Sequence, residues 1–120
     1  MSSSYSDLNE VYARHNVNYN LSIDDNIKSI IDLLQPKLEQ NYQKTALRMG
    51  QATLSFEQLD IASKRFAAFL QSQGMIKGDR VAVQLPNILQ YPVVMLGCLR
   101  SGMVLVNVNP LYTHYELAHQ

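Results

Sequence analysis

From Arg80 to Val108 the chain runs RVAVQLPNILQYPVVMLGCLRSGMVLVNV. Arg80–Leu85 gathers Val81, Ala82, Val83 and Leu85, an apolar and partly β-branched run of strand length. Pro86-Asn87 ends it, since proline has no N–H to give to a ladder. Ile88–Ser101 then shows apolar side chains on most faces of a helix: Val93, Val94, Met95, Leu96, Cys98 and Leu99. Such a helix is expected to be nearly buried, with Pro92 acceptable only near its first turn. Gly102 terminates it, and Met103–Val108 makes a second strand before Asn109-Pro110. Strand, helix, strand is the right-handed crossover that joins parallel strands. The predicted fold class is α/β, a partial parallel sheet covered by helices.

Upstream, Ser55–Gly74 reads as a long helix. Ser55 stands three residues before Gln58, the spacing of a reciprocal N-terminal cap, and Leu54 and Leu59 are placed to staple across it. Leu59, Ala62, Phe66, Phe69 and Leu70 make one apolar stripe, with Asp60, Lys64, Gln71 and Gln73 largely off it. Gly74 is the expected left-handed terminator, and Gly78-Asp79 a turn. Ala46–Met49 and Ala52–Leu54 flank Gly50-Gln51 as a two-residue hairpin. Ile27, Ile30, Ile31, Leu34, Leu38 and Tyr42 keep helical spacing, with Pro36 expected to kink or split that helix. Residues 1–22 are polar and without sustained periodicity, and read as a mobile or partner-dependent arm. The domain division is thus 1–22, arm, and 23–120, α/β. Tyr5, Tyr12 and Tyr19 recur every seven residues, which reads as coincidence with so little else apolar nearby.

The 120 residues include 47% hydrophobic ones, the composition of a globular chain with a modest core. Ten basic and ten acidic side chains cancel, which argues against a nucleic-acid partner, because that needs a basic footprint. The N-terminus lacks the basic and apolar regions of a secretory signal. Gln90, Pro92, Arg100 and Gly102 interrupt the most apolar stretch, so it does not read as a membrane span. One cysteine, Cys98, forms no internal disulfide, and the inferred setting is cytoplasmic.

Chemistry-bearing candidates are few. Ser55 and Glu57 have no activating histidine, so capping is the preferred reading of Ser55. His15, His114 and His119 make no metal spacing with one another or with Cys98, and residues five apart do not share a helical face. Cys98 reads as an inert core residue. Gly74 and Gly78 are not followed by a phosphate-loop lysine, and Asp79 and Arg80 read as turn and solvated charge. In open parallel sheets, ligands collect beyond the carboxyl ends of strands. Leu85-Pro86-Asn87 and Asn107–Thr113 fall there, and the amides of Asn107 and Asn109 either satisfy loose backbone groups or point at a substrate, the first being preferred. Thr113 and Glu116 have capping-box spacing, announcing a helix about two turns before the last residue; the reading is of a cut through a larger body. Such a cut should leave apolar sheet faces exposed and favour self-association.

Thr53–Asn87, TLSFEQLDIASKRFAAFLQSQGMIKGDRVAVQLPN, resembles the opening of the acyl-activating, AMP-forming ligases. Leu85–Gln120 looks specifically like the bacterial long-chain fatty acid–CoA ligases. The carrying residues are Pro86-Asn87, Gln90-Tyr91-Pro92, Gly97, Leu99-Arg100, Gly102, Asn107–Thr113 and Glu116-Leu117. His114-Tyr115 departs from the family's usual Pro-Arg, which weakens first-turn pre-organisation but keeps the cap. The resemblance implies an N-terminal part of an enzyme that joins a fatty acid to ATP with magnesium, forming acyl-AMP, and then transfers the acyl group to coenzyme A. It implies that the phosphate loop, the adenylate-binding segments and the C-terminal lysine lie elsewhere. No catalytic, cofactor-binding or metal-ligating residue is therefore assigned here, and the 120 residues are expected to be an inactive scaffold. Implied partners are the rest of the parent, a long-chain fatty acid through it, and a second copy through the arm, with the parent working in the cytoplasm or at the inner membrane face. Two alternatives remain open at this point: a stand-alone binding or oligomerisation module, and an aryl-CoA or peptide-synthetase type of adenylation enzyme.

Overall fold

The computed structural model describes residues 3–16 and 25–120. Its elements are α1 (Ser3–Arg14), α2 (Ile30–Gln40), β1 (Thr45–Met49), β2 (Ala52–Ser55), α3 (Phe56–Ser72), β3 (Arg80–Val83), α4 (Gln90–Arg100), β4 (Val104–Asn107) and α5 (His114–His119). β3 and β4 pair in parallel, with Arg80 opposite Val104 and Val83 opposite Asn107, and α4 makes the crossover. The ladder runs one bond beyond β4, from the Val108 N–H to the Val83 carbonyl at 2.9 Å. β1 and β2 form a separate antiparallel hairpin. Gly50, at φ +59°, is the first of its two loop residues, the place where a tight hairpin turn of this kind requires positive φ.

Both ends of α3 form as the local residues dictate. The Ser55 hydroxyl oxygen accepts from the Gln58 N–H at 3.1 Å, and the Gln58 side chain accepts from the Ser55 N–H at 2.8 Å. At the other end Gly74 donates to the Gln71 carbonyl and Met75 to that of Leu70, the paired bonds of a Schellman motif. α4 ends the same way, with Gly102 donating to Leu99 and Met103 to Cys98. In each motif the residue past the glycine packs in one core cluster with the carbonyl's owner.

That cluster, Leu70, Cys98 and Met103, joins α3 and α4 to the parallel strands; a second, Leu38, Leu59 and Leu96, joins α2, α3 and α4 to the hairpin. α4 feeds both, which explains why it is apolar nearly all round. Its middle, Leu96–Cys98, is fully buried, while its other residues are partly covered or exposed.

Several expectations need correction. A helix, α1, occupies most of the segment read as lacking periodicity. Leu8, Val11 and Tyr12 have helical spacing, Glu10 pairs with Arg14 one turn on at 3.5 Å, and Asn16 closes the helix at φ +57°. Tyr19 and the 22/23 boundary lie outside the described residues. α2 begins at Ile30 rather than Ile27 because Ser29 caps it, accepting from the Asp32 N–H at 3.1 Å, and it passes through Pro36 without splitting. The buried stripe of α3 is Leu59, Asp60, Ser63, Ala67 and Leu70; Phe69 is half exposed. Asp60, read as lying off the core face, is buried.

Candidate functional site: the carboxyl edge of the parallel strands

Asp60 is 1% exposed because α2 and α4 supply donors for it. Its Oδ1 accepts from Arg100 Nη2 at 2.6 Å. Its Oδ2 accepts from the Tyr42 hydroxyl at 2.5 Å, Lys64 Nζ at 2.9 Å and Gln35 Nε2 at 3.4 Å. Arg100 donates further to Gln35 Oε1 at 2.8 Å and Ser63 Oγ at 2.9 Å. Burial alone would push the Asp60 carboxyl up, but the hydrogen bonds from Tyr42, Lys64 and Gln35 and the Arg100 charge outweigh it and hold the group below its ordinary value. The Tyr42 phenol, donating to that carboxylate, is pushed up to about 12. Among the described residues no buried side-chain polar atom lacks a partner. The network is satisfied internally and offers no free group to a ligand.

The carboxyl edge is built differently. Beyond β4, Asn109 Oδ1 accepts from the Leu111 N–H at 3.0 Å, and the Tyr112 N–H donates to the Asn109 carbonyl at 3.0 Å. An Asx turn is thus laid over a β-turn with Pro110 at its second position, where its fixed φ fits. Gln84 Nε2 donates to the Asn109 carbonyl at 3.2 Å, and Gln120 Nε2 to the Asn107 carbonyl at 2.9 Å. The Asn107 amide takes the Tyr91 hydroxyl on its Oδ1 at 2.6 Å. The Asn109 amide therefore serves loose backbone, as preferred from sequence, while the Asn107 amide serves a side chain of α4 that sequence reasoning passed over. α5 follows, with Glu116 accepting from the Thr113 N–H at 2.7 Å and hydroxyl at 3.0 Å.

Other candidates fall apart spatially or turn inward. Ser55 is the α3 cap. Asp79 closes a turn by accepting from the Ile76 N–H at 2.8 Å. Cys98 is fully buried among apolar side chains, and burial pushes its thiol up. The His114 ring lies tilted against that of Tyr115, with ring centroids 3.9 Å apart. Among the described residues no three His, Cys, Asp or Glu side chains are grouped to hold a metal ion. Leu85–Asn87 and Asn107–Thr113 carry neither lysine nor arginine. The donor set at this edge does not fit magnesium or a polyphosphate. Two clefts lie close by. One of about 220 Å³ lies between β1 and the entry to α4, lined by residues that include Arg48, Asn87, Leu89 and Tyr91. One of about 250 Å³ lies on the open sheet face over Arg80, Ala82, Val106 and Leu117.

A protein-family model for AMP-binding enzymes matches residues 34–120. The chain belongs to the AMP-binding enzyme family. Among its curated AMP-binding relatives, the long-chain-fatty-acid–CoA ligase of Escherichia coli is 46% identical over 98 residues, covering 80% of this chain and 17% of that protein. The ligase of the same name from Haemophilus influenzae is 44% identical over 95 residues, 78% of this chain and 17% of its own. Among solved structures, NpsA-ThdA, a fused adenylation–PCP di-domain from Klebsiella oxytoca, superposes with a TM-score of 0.74 at 25% identity, over 78% of this chain and 18% of that one. The chain spans about a sixth of the length of the curated relatives it matches. The α/β class read from Arg80–Val108 holds. No helix among its described residues is long and apolar enough to cross a membrane.

Proposed function

We propose that this chain is part of a long-chain fatty acid–CoA ligase, which joins a fatty acid to ATP as acyl-AMP and passes the acyl group to coenzyme A. The observation that carries the reading is the 46% identity to a ligase of that name over 98 residues. Magnesium, ATP and coenzyme A belong to the proposed activity, and no step through them is derived from residues 1–120. The chain's own contribution is scaffold: α3 and α4 hold the parallel strands in register, and the carboxyl edge presents Asn107–Thr113 to the substrate side of the sheet. The parent acts in the cytoplasm and meets its long-chain substrate at the inner membrane face. Its N-terminal segment reaches a second copy, so deletion of residues 1–22 should lower its sedimentation coefficient; equal sedimentation removes that contact.

The test of the main reading is acyl-CoA formation from palmitate by the full-length protein, with ATP–pyrophosphate exchange measured on the 120 residues alone. The full-length protein should turn over and the short chain should show no exchange. Exchange by the short chain would contradict the scaffold role. A second reading, a peptide-synthetase type of adenylation enzyme, draws on the structural likeness to NpsA-ThdA. Preference of the full-length protein for amino or aryl acids over palmitate would select it. A stand-alone module would show neither activity in any form of the protein.

A further inference from the structure

The two faces of the parallel strands are served by different helices. On one face Val81 and Leu105 pack against Leu70, Cys98 and Met103, which brings α3 and α4 there. On the other, Arg80, Ala82, Val106 and Val108 line a cleft together with Leu117 and Gln120, so α5 lies across the sheet from α4. Crossovers between parallel strands are right-handed almost without exception, so with α4 in front β4 stands to the right of β3. A connection of the same hand through α5, behind the sheet, leads back to the left. Past β4 in that direction the first free edge is the outer side of β3. The main-chain groups of the two outer edges agree with this. Val104 and Val108 donate to the Asp79 and Val83 carbonyls, so the peptide groups of Leu105 and Asn107 point away from β3. There the Asn107 carbonyl already accepts from Gln120 Nε2 at 2.9 Å. Arg80 and Ala82 point their peptide groups away from β4, and no strand among the described residues takes them. One edge is thus partly closed by a side chain of this chain, and the other is open along its length.

We propose that the outer edge of β3 receives the first strand that follows α5 in the longer parent, so that β3 lies inside the sheet between that strand and β4. The inference rests on one part of the ligase reading, that this chain is a piece of a longer AMP-binding protein, about a sixth of it by the measure of its relatives. Its test is disulfide mapping in the full-length protein. Arg80 and Val104 stand opposite each other in the ladder and both are exposed, so a cysteine at either one samples one edge at the same height. Neighbouring strands lie about 4.8 Å apart and a disulfide joins Cα atoms up to about 7 Å apart, so each position reaches the strand beside it and not the one beyond. Arg80→Cys or Val104→Cys is combined with single cysteines placed in turn along the strand after α5. The protein is then oxidised and the bridges are read by peptide mass spectrometry. Arg80→Cys should form a bridge at one or two of those positions and Val104→Cys at none. A bridge through Val104→Cys, or no bridge through either, would overturn the order. Acyl-CoA formation by the wild-type protein is measured alongside. A protein that forms the Arg80→Cys bridge but makes no acyl-CoA loses the ligase reading and keeps the strand order.

Discussion

Asp60 and Arg100 meet at 2.6 Å with side chains 1% and 9% exposed, and three helices depend on the pairing. A buried pair contributes little net stability when intact, but removing one member strands the other without water or counter-charge. Arg100→Met should therefore cost about 3–5 kcal/mol in urea unfolding. Adding Asp60→Leu should recover most of that loss, since a well-packed apolar substitute is close to neutral. The second ion pair of Asp60, to Lys64, has its cation half exposed, so Lys64→Ala should cost no more than about 1 kcal/mol. The pH dependence follows from Asp60 being held below its ordinary value. A carboxyl lowered in the folded state contributes stability that is complete above its unfolded pKa of about 4 and is lost as pH falls through the folded value. Asp60→Asn should accordingly flatten the acid limb, the gap to wild type in urea midpoint narrowing below about pH 4. Tyr42 runs the other way: raised to about 12, it favours the folded state up to its unfolded value of about 10 and loses that contribution as pH rises to the folded one. In a spectrophotometric titration Tyr42 should ionise late, and Tyr42→Phe should remove that component.

Elements differ in how much of their cause is local. The α3 cap, its Schellman end and the Gly50 turn were legible because each is written within six or so consecutive residues, and the spacing of the apolar positions gave the crossover. Asp60 was not, because its burial depends on Arg100, forty positions away, and on Gln35 and Tyr42 from before the hairpin. With no partner in view, a carboxylate on a helix defaults to solvent. The same blindness shifted the α3 stripe, since Ser63, fully buried, was no candidate for a core face. Its neighbour across the helix interface is Gly97, where an added Cβ would lie 2.6 Å from Phe66 Cδ1 and 3.0 Å from both Phe66 Cβ and the Ser63 carbonyl oxygen. The ring can swing, but the other two atoms move only with α3. Gly97→Ala should thus lower stability by about 1–3 kcal/mol through overpacking. Gly74→Ala, at φ +81° with nothing within 4 Å of a new Cβ, should cost about 1–2 kcal/mol through backbone strain alone. A thermal shift in which Gly97→Ala is the milder would mean that α3 gives way at this contact. At the carboxyl edge, the Asn109-Pro110 turn was readable from its residue types, whereas the bond from Tyr91 to Asn107 joins positions sixteen apart and needed the fold.

At the scale of the molecule, two strands make a narrow sheet. β3 and β4 each pair only with the other among the described residues, so each has an outer edge free of ladder partners. Their face away from α4 carries Val104 and Ala82 in the open, with Leu117 of α5 beside them, and Val104 is 46% exposed. Unpaired, flat, apolar edges recruit further strands, and natural sheets blunt them with charge, most often lysine. The only charge on these two strands is Arg80, at the start of β3, which leaves β4 unguarded. The 120 residues in isolation should therefore bind an apolar dye and sediment as concentration-dependent oligomers. Val104→Lys sets a charge at the start of β4, on a side chain already half in solvent, so it should reduce both signals without unfolding the chain. Asn107→Lys would serve the same edge but would also break the bond to Tyr91, which makes Val104 the cleaner site. If the wild-type chain is monomeric at all concentrations and binds no dye, the sheet closes upon itself in solution and its open face is not the sticky surface. If Val104→Lys leaves the oligomers intact, association runs through the half-exposed Ile30 and Leu33 of α2 instead.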